Sequence, residues 1–199
     1  MPEAFNEQRI TDIIGESIAT KQRLAEGCAS DIATSGAVLA VCAAANKRIF
    51  FCGNGGSAAD SQHLAAELVV RLRSGIERRA IAALALTVDT SVLTAGGNDY
   101  GFDNVFARQV EAFGQPGDVL VAISTSGTSP NIVRAVEQAT AQGVITVGLL
   151  GGNGGTLRSL CNYSVVVPSS VTARIQESHI LIGHIWCEMI EEAVAPELF

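Results

Sequence analysis

Six consecutive residues, Ser124-Thr125-Ser126-Gly127-Thr128-Ser129, carry a hydroxyl at every position but one. They follow an apolar run and precede Pro130, a residue suited to the first turn of a helix, with serine at the cap. Backbone N–H groups at a helix start, together with the helix dipole, favour an anion. The hydroxyls add neutral donors, so the pattern predicts a phosphate site that works without a lysine. Lys21 and Lys47 are the only lysines and neither falls in a candidate loop, which disfavours Schiff-base aldolase chemistry.

A second loop, Gly53-Asn54-Gly55-Gly56-Ser57-Ala58, fits the weak dinucleotide fingerprint G-x-G-x-x-A. That fingerprint also needs an acidic residue about 20 positions on, and Asp89 lies too far along. No Gly-Lys-Ser/Thr closes the loop, so it is not a Walker A motif, and a nicotinamide dehydrogenase is the weaker reading. Beyond it, His63 and Glu67 stand i, i+4 on one helix face, where they form either a hydrogen-bonded pair or part of a metal site. Gln176, His179 and His184 follow near the C-terminus, with Gln176 and His184 broadly on one side of a helix. One of His179 and His184 is expected to be a core histidine.

The elements that must position these residues read as alternating helix and strand. Ile10, Ile13, Ile14 and Ile18 recur at helical spacing, and a second periodic stretch covers Ile32 to Ala45. Short apolar strands are expected at Arg48–Cys52, Ile81–Leu86, Asp118–Ile123, Val144–Leu150 and Tyr163–Val167. Helices are expected at Ala58–Leu72, at Ser91–Phe113 with an interruption at Gly96-Gly97, after Pro130, and at Ala173–Ala193. Short buried strands separated by helices imply a parallel sheet covered on both faces. Ligands in such sheets bind at the carboxyl ends of strands where strand order reverses, between strands one and three in a flavodoxin-like order. Both unusual loops follow those two strands.

The chain's 199 residues suit one α/β domain spanning 1–199, and the net charge of -7 repels polyanions, so no nucleic-acid partner is expected. Arg71, Arg73, Arg78 and Arg79 form the one basic cluster and read as a solvated loop. Unbroken apolar runs such as Ala80–Leu86 fall far short of the ~18 residues of a membrane span. The acidic start, Met1 to Glu7, has no signal-peptide pattern. Five irregularly spaced cysteines, Cys28, Cys42, Cys52, Cys161 and Cys187, suit reduced buried thiols in the cytoplasm.

Four stretches in order complete the pattern: Cys52 to His63, Gly97-Asn98-Asp99-Tyr100, Ser124 to Ser129, and Ala173 to His179. Together they resemble the sugar isomerase (SIS) domain and, within it, the phosphoheptose isomerases, over nearly the whole chain. The resemblance implies a flavodoxin-like three-layer sandwich with a five-stranded parallel sheet and N-terminal helices. It implies a homotetramer with active sites at subunit interfaces, residues 1–46 serving oligomerisation. Sedoheptulose 7-phosphate would become D-glycero-D-manno-heptose 7-phosphate by enediol proton transfer. By motif, Asn54, Gly55, Gly56, Asn98 and Asp99 would contact the sugar, and Ser124, Thr125, Ser126 and Ser129 the phosphate. Glu67 and His184 would be the acid/base pair, and His63, Glu67, Gln176 and His184 would hold one zinc ion per subunit, with Glu67 and Gln176 also near substrate. A non-catalytic relative, the DnaA initiator-associating protein, lacks the glutamate and the final histidine of these pairs. Glu67 and His184 are both present here, which favours an enzyme.

Overall fold

The computed structural model describes residues 6–199; Met1–Phe5, most of the acidic start, lie outside the described residues. Helix α1 (Glu7–Ala44) is capped by Asn6, whose side chain accepts from the Arg9 N–H at 3.0 Å. The two periodic stretches expected as separate N-terminal helices are one helix of 38 residues. Leu24 and Cys28 carry its buried face across the interval between them. Among the described helices, α1 is the one long and apolar enough to cross a membrane by length and composition. Here it packs along the last helix and the last strand.

Strand β1 (Ile49–Gly53) leads through the glycine loop into α2 (Gly56–Val69). Then come β2 (Ala83–Ala85), α3 (Thr90–Tyr100), a 3₁₀ turn and α4 (Val105–Phe113). Gly96 and Gly97 do not interrupt α3; the break falls at Gly101, whose φ of 79° is a left-handed value that ends a helix readily. Strand β3 (Val119–Ser124) runs into the serine loop and α5 (Pro130–Ala141), followed by β4 (Ile145–Gly151), the single turn α6 (Leu157–Leu160), β5 (Tyr163–Val167) and α7 (Thr172–Val194).

The five strands form one parallel sheet in the order β2-β1-β3-β4-β5, so the order reverses between β1 and β3. Alternation along the central strands divides the core. Ile49, Phe51, Val119, Val121 and Ile123 face α1, α2 and α7, while Phe50, Cys52, Leu120 and Ala122 face α4 and α5. Every residue of β1 and β3 is buried, which is why both read as unbroken apolar runs.

The arginine cluster is a loop, but only part of it is solvated. Glu191 of α7 has no exposed surface, and its carboxylate pairs with Arg73 at 3.0 Å and with Arg78, also shielded, at 3.1 Å. Arg71 pairs with Glu77, and Arg79 donates to the Ala43 carbonyl at 2.7 Å. A buried carboxylate far along the chain draws one arginine of the run, Arg78, out of solvent and Arg73 partly so. The five cysteines are free; four are buried and Cys161 is half-buried.

Candidate active site

Both candidate loops leave the carboxyl ends of β1 and β3, which are hydrogen-bonded neighbours. One amide pair ties them together. Asn54 Nδ2 donates to Asn131 Oδ1 at 2.9 Å, and Asn131 Nδ2 returns the bond to Asn54 Oδ1 at 2.8 Å. Asn131, buried in the first turn of α5, went unnoticed in the sequence because asparagine near a helix start is ordinary. Its pairing with Asn54 is the part that carries information.

In the serine loop the Ser124 and Ser129 hydroxyls lie 3.2 Å apart, and Ser124 Oγ accepts from the Gly127 N–H at 3.1 Å. Ser126 Oγ accepts from both the main-chain N–H and the hydroxyl of Thr128. Ser129 occupies the cap position of α5 without a side-chain cap bond. Its hydroxyl turns to Ser124 instead. Gly127 has a φ of 68° and packs directly on the backbone of Gly154 and Gly155, so no side chain fits there. The result is a loop of hydroxyls and N–H groups with a fixed backbone at a helix N-terminus.

The imidazoles meet across the seam between α2 and α7. His63 Nε2 and His184 Nε2 are 2.8 Å apart, and Glu67 Oε1 stands 3.4 Å from His63 Nε2. Residues 121 positions apart in sequence are thus joined at the ring nitrogens. Gln176, one turn into α7, lies against the glycine loop: a Cβ on Gly56 would fall 2.5 Å from its Nε2. The Gln176 amide thus packs directly over Gly56, and it is brought there by the same helix as His184. Asn98 and Asp99 lie exposed on α3, with Asn98 Nδ2 bonded to Asp99 Oδ1 at 2.7 Å.

The two histidines of α7 differ. His179 is fully buried and its Nε2 donates to the Leu150 carbonyl at 3.0 Å, while its Nδ1 has no partner. Burial pushes its pKa down to about 4, so it is the neutral core histidine. His184 is only half-buried and faces His63. Asp60, one turn before His63, is held up from the usual carboxylate range by burial, partly offset by His63. Cys52 beside the glycine loop is fully enclosed, and burial raises its thiol far above neutrality, which rules it out as a nucleophile.

A hydroxyl-rich loop at a helix N-terminus, tied through Asn54 and Asn131 to a glycine loop whose helix carries His63 and Glu67, lies at the switch point of a parallel sheet, where such folds bind their ligands. The SIS domain family matches residues 14–151. The phosphoheptose isomerase of Nitratiruptor sp. is 61% identical over 147 residues, 74% of this chain and 78% of that one. The phosphoheptose isomerase of Leptospira biflexa is 50% identical over 179 residues, 90% and 92% of the two chains. Among solved structures, phosphoheptose isomerase GmhA from Neisseria gonorrhoeae superposes with a TM-score of 0.87 at 43% identity, covering 94% of this chain and 98% of that one. A phosphoheptose isomerase from Francisella tularensis gives 0.89 at 37%, covering 93% and 97%. The chain belongs to the SIS-domain family and, within it, to the phosphoheptose isomerases, enzymes of the aldose–ketose isomerase class. The family match ends at Gly151, ahead of the helix that brings Gln176 and His184.

Proposed function

We propose that the protein converts sedoheptulose 7-phosphate into D-glycero-D-manno-heptose 7-phosphate through an enediol. The observation that carries this reading is the meeting of His63, Glu67 and His184 on the α2–α7 seam, beside a glycine loop tied to a hydroxyl-rich anion cradle. Ser124, Thr125, Ser126 and Ser129 hold the phosphate with neutral donors. Asn54, Gly55, Gly56, Gln176, Asn98 and Asp99 line the sugar. Glu67 takes the proton from C1 as His184 gives one to the carbonyl oxygen on C2. Glu67 then returns its proton to C2 while the C1 hydroxyl gives its own back to His184, so the carbonyl ends on C1 and both groups regain their starting states.

Zinc fits the donor set by chemistry: two imidazoles, a carboxylate and an amide oxygen from His63, His184, Glu67 and Gln176. Bonds of about 2.0–2.1 Å in a tetrahedron separate donors by roughly 3.3 Å. The 3.4 Å between His63 and Glu67 agrees, and the 2.8 Å between the imidazoles would open slightly. Among the described residues no three His, Cys, Asp or Glu side chains already converge on one point, so the fit rests on donor chemistry. A bound ion would polarise the sugar oxygens. An Nε2 bound to metal cannot donate a proton, so His184 serves as ligand and as acid at that atom only in different states. Dialysis against zinc and a metal count test the site, and failure to take up the ion would remove it.

The exposed Ile10, Ile14 and Ile18 on α1 support a homo-oligomer, a tetramer by the resemblance, and light scattering that finds a monomer at micromolar concentration would refute it. Reduced thiols, with no disulfide among the described residues, suit the cytoplasm. The function itself is tested by incubating the pure protein with sedoheptulose 7-phosphate in deuterated water. An aldose phosphate carrying deuterium at C2 is expected; no conversion would overturn the reading.

A further inference from the structure

The end of α2 is fixed to α7 by a buried ion pair that the reaction itself does not use. Glu191 takes three donors: the Leu72 N–H at 3.1 Å, Arg73 Nε at 3.0 Å and Arg78 Nε at 3.1 Å. The remaining nitrogens of Arg78 donate to the main-chain carbonyls of Glu67 at 2.8 Å and Leu68 at 2.9 Å. Carbonyls in the last turn of a helix have no partner within it, and a cation there also meets the favourable end of the dipole. Arg78 therefore grips residue 67 by its own backbone while Glu191 grips Arg78.

Glu191 lies seven residues, just under two turns, beyond His184, so both stand on one side of α7. The seam is fixed at a third level by Gly183, where a Cβ would fall 2.5 Å from Leu64 Cδ2. Apolar side chains of similar shape would join two helices as firmly without desolvating two charges. A buried pair satisfied by this many donors is better explained by what it orients.

We propose that Arg78 and Glu191 are positioning residues for the isomerase chemistry: their ion pair sets where Glu67 on α2 stands relative to His184 on α7. The inference rests on Glu67 and His184 being the reacting groups. The serine loop, carried by β3 and α5, makes no described hydrogen bond with the pair, so phosphate affinity is an internal control.

Arg78→Lys keeps the charge but cannot reach Glu191 and both carbonyls at once. The measurement is kcat and KM with sedoheptulose 7-phosphate, the inhibition constant of inorganic phosphate, and the melting temperature of the full chain. A displacement of about 1 Å costs about 10²-fold in rate, so kcat should fall about 10- to 100-fold, with phosphate inhibition changed less than about twofold. Glu191→Gln should give the same split. Should the single variants not fold, Arg78→Met with Glu191→Leu removes both charges together and should fold with low kcat. A folded variant with unchanged kcat overturns the proposal. So does an equal loss of turnover and phosphate affinity, which would mark general damage. An unsubstituted protein that fails to turn over the sugar overturns the assignment of Glu67 and His184 instead, and the pair's role with it.

Discussion

In the serine loop every polar group is neutral and comes from six consecutive residues, whereas the α2–α7 seam is built of imidazole, carboxylate and guanidinium groups from residues 63–78 and 184–191. Hydroxyls and N–H groups do not change charge near neutrality; imidazoles do. Under the proposed function, the loop holds the phosphate through neutral donors while the seam supplies the groups that move protons. Their construction differs accordingly. Backbone conformation and a helix start fix the loop, but the seam exists only because two distant helices pack. One region is suited to binding and the other to turnover, and substitutions should separate them.

The largest effect is expected at the seam. Glu67→Gln keeps the shape and removes the carboxylate proposed as the base, so kcat should fall about 10²- to 10⁴-fold with KM little changed in steady-state assays. Near-normal turnover would move the chemistry elsewhere and break the contrast. His179, which joins α7 to the end of β4, gives the next effect, on stability. Its pKa of about 4 lies below the ordinary 6.5, so the unfolded chain binds a proton that the folded protein refuses. Stability is complete above pH 6.5 and falls by roughly 3 kcal/mol as pH drops towards 4. Urea unfolding at a series of pH values should show this slope, and His179→Gln should flatten it.

Ser126→Ala should leave kcat nearly intact and raise KM about 10- to 10²-fold, since a hydrogen bond to a charged group contributes ~1.5–3 kcal/mol. A fall in kcat with constant KM would show that the loop takes part in turnover. The smallest effect belongs to the tie between the regions. Asn131→Ala removes the amide pair with Asn54 and should cost about 1 kcal/mol in denaturant unfolding, because exposed Asn54 can turn to water.

The same contrast governs what the sequence disclosed. Four of the five strands were readable within one residue at each end, because short buried apolar runs have few other uses. The exception is β2, expected at Ile81–Leu86 and found at Ala83–Ala85: Ile81 and Leu86 are buried, but the edge strand pairs with β1 over three residues only. The serine loop was legible because its donors are contiguous. His63 and Glu67 were legible because i, i+4 spacing places them together. His179 and His184 could not be told apart by residue type. Five residues turn a helix by about 140°, which sends one ring under the sheet and the other to the seam. Arg78 and Glu191 were hidden because 113 positions separate them and the arginines sit in a run that resembles solvated surface.

The contact of Gly127 with Gly154 and Gly155 bears on any attempt to retune the enzyme for another anion. A library that randomises all of residues 124–129 would spend most clones on position 127, where any side chain runs into the neighbouring main chain. Holding 127, 154 and 155 as glycine leaves five hydroxyl positions open to recoding on an unchanged frame. The loop is then an exchangeable set of donors on a hub that is not itself exchangeable.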